Sequence, residues 1–485
     1  MARGQPHRTI AATLRLALAL AAGAFAFAGG AAAQEREAGA SAQAQATDGS
    51  SQISLPPGAA RTLARHAWAI GDMALARAIA EQLVAIDQND AEALTLLAAT
   101  DISRGDTRSG RRTAARAVRA AEAPTLRFDA AYVASSAAMA EGSYSAAQYW
   151  LRRAYQSAES DAQRDQIENA FRQVRAASPF HYRFSFDVAP SSNINGGSES
   201  EFLVIEDSPF IGVLSGTARA LSGTRTSVTG QFGYDVARTD TARTTLGLQA
   251  YRSFNTLSEE AKDIAPEADG SDFDYQVLDF SITRRIAGPP GPLPDTYTLA
   301  WGRTWYGGEE SDRVARIGLA RRFNLSEDWS LRVGGKTERR LSDSGSADRF
   351  GNELTLSVAH LRPSGNILRL GLTGTDVASL DPNLEYTAYG LDAGLALGEP
   401  ILGVSVSGHL GFTNRHYPVY SVGFIDVRDG RQDEVWDAAL TFTFERMGVM
   451  GFVPQVSVTG EQSTSNVSRY EGETTGVSVG FRSAF

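Results

Sequence analysis

The 485-residue chain has no cysteine, which excludes disulfides, thiolate metal sites and cysteine nucleophiles. Lysine is almost missing: Lys262 and Lys336 stand alone, and nearly all positive charge is arginine. The formal charge is −10 with no basic block, so no nucleic-acid partner is expected. Beyond the N-terminal region no stretch approaches the ~20 apolar residues that a membrane helix needs. His7, His66, His181, His360, His409 and His416 show no HExxH or other ligand spacing. There is no P-loop, no dinucleotide fingerprint and no GxSxG elbow in a strand-to-helix setting. These absences leave no expected cofactor, metal site or catalytic residue. Glycine, by contrast, is plentiful at 47 residues, as in a turn-rich β protein.

The N-terminus has the order of a secretory signal. Arg3, His7 and Arg8 precede the apolar run AATLRLALALAAGAFAFAGG, and Ala31, Ala32 and Ala33 follow. Arg15 interrupts the run, which argues against a membrane anchor. Residues 1–33 are read as a signal peptide and 34–57, rich in Ala, Gln, Ser and Gly, as a disordered linker.

Residues 58–177 are rich in Ala, Arg, Leu and Glu and carry a repeat. Gly71 and Gly105 are 34 residues apart, and Gly142 follows 37 later. Small or apolar residues recur at +5, +9 and +12: Ala76, Ala80 and Leu83; Gly110, Ala114 and Ala117; Ala147, Leu151 and Ala154. The glycine permits a turn, and the small +5 residue lets two antiparallel helices approach. This helix-turn-helix period resembles the tetratricopeptide repeat, which stacks into a solenoid with a binding groove.

From Phe180 the period changes to two. Tyr182, Phe184, Phe186 and Val188 alternate with polar residues, and Leu331, Val333 and Leu341 alternate with Arg332, Lys336, Glu338 and Arg340. Fourteen strands can be delimited between 180 and 485, the last with Val477, Val479, Phe481 and Phe485 on one side, as in a barrel-insertion signal. Odd-numbered connections include three long ones, 191–222, 256–271 and 418–430, while even-numbered ones are mostly short. The expected fold is therefore an N-terminal α-solenoid of about three tetratricopeptide-like repeats over 58–177, then a 14-stranded antiparallel outer-membrane β-barrel over 180–485. The barrel would lie in the outer membrane of a Gram-negative bacterium with the repeats in the periplasm. Arg183, Asp187, Arg332, Lys336, Glu338, Arg340, Arg369, Asp437, Glu445 and Arg482 are expected to face a wet, mixed-charge lumen. Carboxylates such as Glu338 and Asp437 belong in a polar interior without any catalytic task, and the chain is read as a non-enzyme.

At the end of the first strand, FDVAPSSNINGGS breaks the alternation. Pro190, Ser191, Ser192, Asn193, Ile194 and Asn195 in it resemble the segment at the same place in the surface lipoprotein assembly modifier (Slam) family, the outer-membrane component of type XI secretion. The resemblance covers the mature chain as architecture. At motif level it rests on this hexapeptide and the C-terminal strand. It implies transport of a partner protein, a surface lipoprotein or a soluble haem-binding protein, across or onto the outer membrane. The implied partners are that secreted or surface-anchored client, outer-membrane lipid, the barrel-assembly machinery and periplasmic chaperones, with a monomeric chain. An exopolysaccharide export porin with periplasmic repeats and a simple diffusion porin are the alternatives.

Overall fold

The computed structural model describes residues 55–449 and 452–483. The signal peptide, nearly all of the linker and Phe485 lie outside these residues. The chain divides into two units, with the boundary at Ser178 and Pro179.

The first unit is built from helices α1 (Pro57–Ala69), α2 (Met73–Ile86), α3 (Ala91–Ser103), α4 (Thr107–Ala120), α5 (Pro124–Ala140), α6 (Tyr144–Gln156) and α7 (Asp161–Ala177). The first six form three helix pairs. Gly71, Gly105 and Gly142 each sit in the turn within a pair, with φ of +86°, +88° and +72°. Only glycine adopts this left-handed backbone without strain. In two of the turns the next residue caps the second helix: Asp72 and Asp106 accept the N–H of Leu75 and Ser109 at 3.0 and 3.1 Å. A Gly-Asp dipeptide thus ends one helix and starts the next. Ala76 and Ala147 are fully buried, and a Cβ on Gly110 would lie 2.7 Å from Ile102 Cγ1, so the first turn of each second helix presses against its partner. The cores of neighbouring pairs include Leu94, Leu96 and Leu151, each fully buried. Such a side chain contributes about 1.5–3 kcal/mol. Helix α7 opens with a Ser160–Gln163 capping box and adds Ile167, Phe171 and Val174 to the last core.

The second unit is a closed antiparallel barrel of fourteen strands in which β1 pairs with β14. In chain order they are β1 (Phe180–Ser191), β2 (Gly223–Arg238), β3 (Ala242–Leu257), β4 (Tyr275–Ile286), β5 (Thr296–Tyr306), β6 (Glu309–Asn324), β7 (Trp329–Ser342), β8 (Arg349–Leu361), β9 (Ile367–Ser379), β10 (Tyr386–Ala396), β11 (Ser405–Tyr417), β12 (Arg431–Thr443), β13 (Phe452–Ser465) and β14 (Gly472–Ser483). Each has 11 to 16 residues, enough for the about 9–11 that cross a bilayer. The outer face is an apolar belt that includes Phe280, Trp301, Ile317, Leu354, Leu370, Leu410, Trp436 and Val479, all exposed. Phe254 and Phe350 lie toward one end of it, and Tyr234 and Trp329 toward the other. An apolar patch of this extent is stable only against lipid. Closure pairs every strand edge, which satisfies the backbone where no water is available.

Three connections at the end away from the barrel termini are long and folded: 192–222, 258–274 and 418–430. At the other end the turns are short, as between Arg238 and Ala242. Strand β4 starts at Tyr275 instead of 272, because Asp269 and Asp272 cap a 3₁₀ turn over Gly270–Phe273. Glu445 is not a lumen-facing strand residue. Strand β12 stops at Thr443, and a 3₁₀ turn over Glu445–Met447 takes Glu445 out of the alternation, where it accepts the Ser405 hydroxyl at 2.7 Å.

Candidate functional site

The barrel interior is polar, and its charges are organised by register. Residue pairing places Arg316 opposite Glu338 across β6 and β7. The Arg316 guanidinium bonds Glu338 at 2.6 Å and Asp279 at 3.2 Å. Arg340 also bonds Glu338, at 2.8 Å, and Asp312 bridges Arg340 and Arg349 at 3.6 and 3.0 Å. Lys336 pairs with Glu353 at 2.9 Å. Glu338 is thus saturated by two arginines, which suits a structural role in the wall and not proton transfer. On the opposite wall Asp437 pairs with His409 at 3.0 Å, and Asp187 accepts the Ser227 hydroxyl at 2.8 Å. Arg183, Arg332, Arg369 and Arg482 share the lumen face but lie closer to the termini, away from this network. Val477, Val479 and Phe481 point outward on β14 and are exposed on the apolar belt.

The hexapeptide at the end of β1 turns the chain into the 192–222 connection. Strand pairing continues through Pro190 and Ser191, opposite Thr224 and Gly223. Asn193 then closes a small loop: its amide donates to the Gly197 carbonyl at 2.8 Å, and its Oδ1 accepts the Gly197 N–H at 2.9 Å. Asn195 clamps the returning chain. Its amide donates to the Thr217 and Arg219 carbonyls at 3.0 and 2.8 Å, and its Oδ1 accepts the Leu221 N–H at 2.9 Å. Between them Ile194 is buried with Leu221 of the same connection and with Ala261, Ala265 and Phe273 of the 258–274 connection. Arg225, which faces inward on β2, donates to the Ile194 carbonyl at 2.6 Å. Both asparagines therefore bond main chain and hold the long connection in shape.

The far part of that connection crosses to strands β11–β14. Ile205 packs with Tyr417, Tyr420, Val427 and Val467. Ser198 donates to the Ser468 carbonyl at 2.6 Å, and Ser468 donates to the Phe202 carbonyl at 2.8 Å. Here Arg431 is buried in a cage of tyrosines, 3.8 Å from the Tyr417 ring centre, 3.6 Å from Tyr470 and 4.7 Å from Tyr420. Asp433 holds it at 3.0 Å. A desolvated guanidinium over aromatic faces is a strong cation–π contact. Chain order does not mark this cage, since Tyr470 reaches it from the β13–β14 connection, while Tyr417 and Arg431 stand on facing strand ends and Tyr420 lies in the loop between them.

In the helical unit, ion pairs join successive pairs: Arg61 with Asp90 at 2.9 Å and Arg65 with Glu92 at 3.1 Å. Asp129 on α5 is half-buried. Burial and then the neighbouring Glu92 carboxylate push it up to about 7. The charge row on these first helices was not foreseen, because its members lie some thirty residues apart.

Among the described residues no group of three or more His, Asp or Glu side chains is placed to hold a metal. No protein-family model and no curated protein matches the chain. Solved structures of outer-membrane barrels do match. A loop-deletion form of OmpT of Vibrio cholerae is 10% identical with a TM-score of 0.29, over 62% of this chain and 98% of that one. A BenF-like porin from Pseudomonas fluorescens Pf-5 is 9% identical with a TM-score of 0.34, over 63% and 99%. OccAB3 of Acinetobacter baumannii is 7% identical with a TM-score of 0.33, over 62% and 98%. At these scores the likeness carries no argument of its own. The membrane-spanning barrel rests on the closed sheet and its apolar outer face.

Proposed function

We propose that the protein is an outer-membrane translocator, similar to the Slam family, that moves a partner protein across or onto the outer membrane without catalysing a reaction. The carrying observation is the union in one chain of three stacked helix pairs and a closed fourteen-strand barrel with a charged interior. Stacked helix pairs are binding modules for extended segments, and a diffusion channel has no need of one. In this reading the helical unit lies in the periplasm and captures the client there. The clamped connection after β1 and the tyrosine cage then form the extracellular face of the barrel. The client is a surface lipoprotein or a soluble haem-binding protein, the classes that the Slam resemblance implies.

The test is co-expression with a secreted protein encoded nearby, with surface exposure scored by protease shaving. Deletion of residues 58–177 is expected to abolish exposure while the barrel still assembles. Unchanged exposure in that deletion would refute the reading. A polysaccharide exporter would instead lose surface polymer in a knockout.

A further inference from the structure

We propose that the rim of the lumen nearest the barrel termini is an anion-binding collar, with Arg285, Arg322 and Arg332 at its centre. Register carries the argument. Arg322 on β6 is the direct cross-strand partner of Arg332 on β7, and Arg243 on β3 is the direct partner of Arg285 on β4. All four share the lumen face with Arg316, Glu338 and Asp279 by strand alternation. Like charges placed directly opposite repel. Farther from the termini the same problem is solved internally: Arg340 and Arg349 are also direct partners, and Asp312 bridges them. At the rim only Arg243 has such an acid, Asp235 at 3.3 Å.

Arg285, Arg322 and Arg332 form no ion pair among the described residues, and the same holds for Arg183, Arg369 and Arg482 at the same end of the lumen. All six side chains are exposed to the lumen. Asp295 faces the collar: its carboxylate accepts the Arg322 backbone N–H at 2.7 Å and the Thr296 hydroxyl at 2.8 Å, and it offsets part of the charge of Arg321 and Arg332 through space without an ion pair to either. A cavity of about 720 Å³ opens at this rim beside Arg285 and Arg322, lined also by Arg238, Arg243, Asp240 and Asp295; Arg332 lies outside its lining, and Arg321, which also lines it, donates to the Pro289, Gly291 and Leu293 carbonyls. The positive excess, the cross-strand pair without an ion pair of its own and the open cavity beside it point to one ligand chemistry: a carboxylate or phosphate group that bridges guanidinium forks. The collar would draw anionic groups into the lumen from the termini side. This inference needs the barrel alone and does not depend on the translocator reading.

The experiment titrates full-length protein, folded in non-ionic detergent, with inorganic tripolyphosphate and with a hexaglutamate peptide by calorimetry at low salt. Saturable binding is expected, weakened about tenfold by the double change Arg322→Gln and Arg332→Gln and weakened further by added salt. Arg339→Gln, on the outward face of β7, is expected to bind as the parent does. The double change to lysine keeps the charge but not the fork and is expected to recover only part of the affinity. Binding of tripolyphosphate alone would assign phosphate as the ligand group, binding of the peptide alone would assign carboxylate, and binding of both would support a collar that reads charge. Absence of binding by both probes, or equal affinity in parent and glutamine variant, would overturn the proposal.

Discussion

Asp129 makes the helical unit sensitive to pH in a direction that can be worked out. Burial and the Glu92 carboxylate raise its pKa from 3.8 to about 7. Between these values the folded unit holds a proton that the unfolded chain has released. Stability must then fall as pH rises through that window and level off above it. A shift of about three units corresponds to about 4 kcal/mol, at 1.36 kcal/mol per unit. Asparagine at this position is neutral throughout and nearly isosteric, so Asp129→Asn is expected to flatten the profile and to raise stability at pH 8 by up to that amount. Because burial outweighs Glu92 as a cause, Glu92→Gln is expected to remove the smaller part of the dependence. The assay is urea unfolding of the full-length protein in micelles from pH 4 to pH 8, followed by helical circular dichroism. If Asp129→Asn tracks the parent across this range within about 0.5 kcal/mol, the carboxyl is solvated and the reasoning fails.

Other expectations concern the barrel. Gly480→Val would place side-chain atoms over the Phe186 carbonyl and Asp187 at the β1–β14 seam, so closure should fail, read as loss of heat-modifiable mobility on gels. Arg431→Ala leaves Asp433 buried without its partner and empties the tyrosine cage, a loss of about 3–5 kcal/mol. Faster proteolysis within 418–430 checks it, and unchanged cleavage would show that the cage does not hold that connection. Alanine at both Asn193 and Asn195 removes five hydrogen bonds to main chain and leaves donors such as the Leu221 N–H unpaired, at about 1–3 kcal/mol each where buried. The 192–222 connection should become protease-sensitive and client exposure should fall while the barrel still closes. Failure of the barrel itself to fold would return the two asparagines to a purely architectural role.

Much of the frame was readable along the chain because local periodicity reports local environment. A period of two from Phe180 onward marks which side chains meet lipid and which meet water, and all fourteen strands follow. The glycines Gly71, Gly105 and Gly142 mark the helix turns because each needs a left-handed backbone. Glu445 was misread because alternation does not show where a strand stops. The motif residues Asn193 and Asn195 could be located but not explained, since their partners lie as far away as Leu221.

The sequence by itself therefore determined the two architectures, their order and the polarity of each strand face, all of which depend on neighbours within a few residues. Only the tertiary structure decided which distant groups meet. Strand register set Arg322 against Arg332 and bridged Arg340 to Arg349 through Asp312. Packing of the β13–β14 connection against the facing ends of β11 and β12 closed the tyrosines on Arg431, and stacking of helix pairs brought Glu92 beside Asp129. Charge interactions act through space at a few ångströms, so chain order alone does not reveal them.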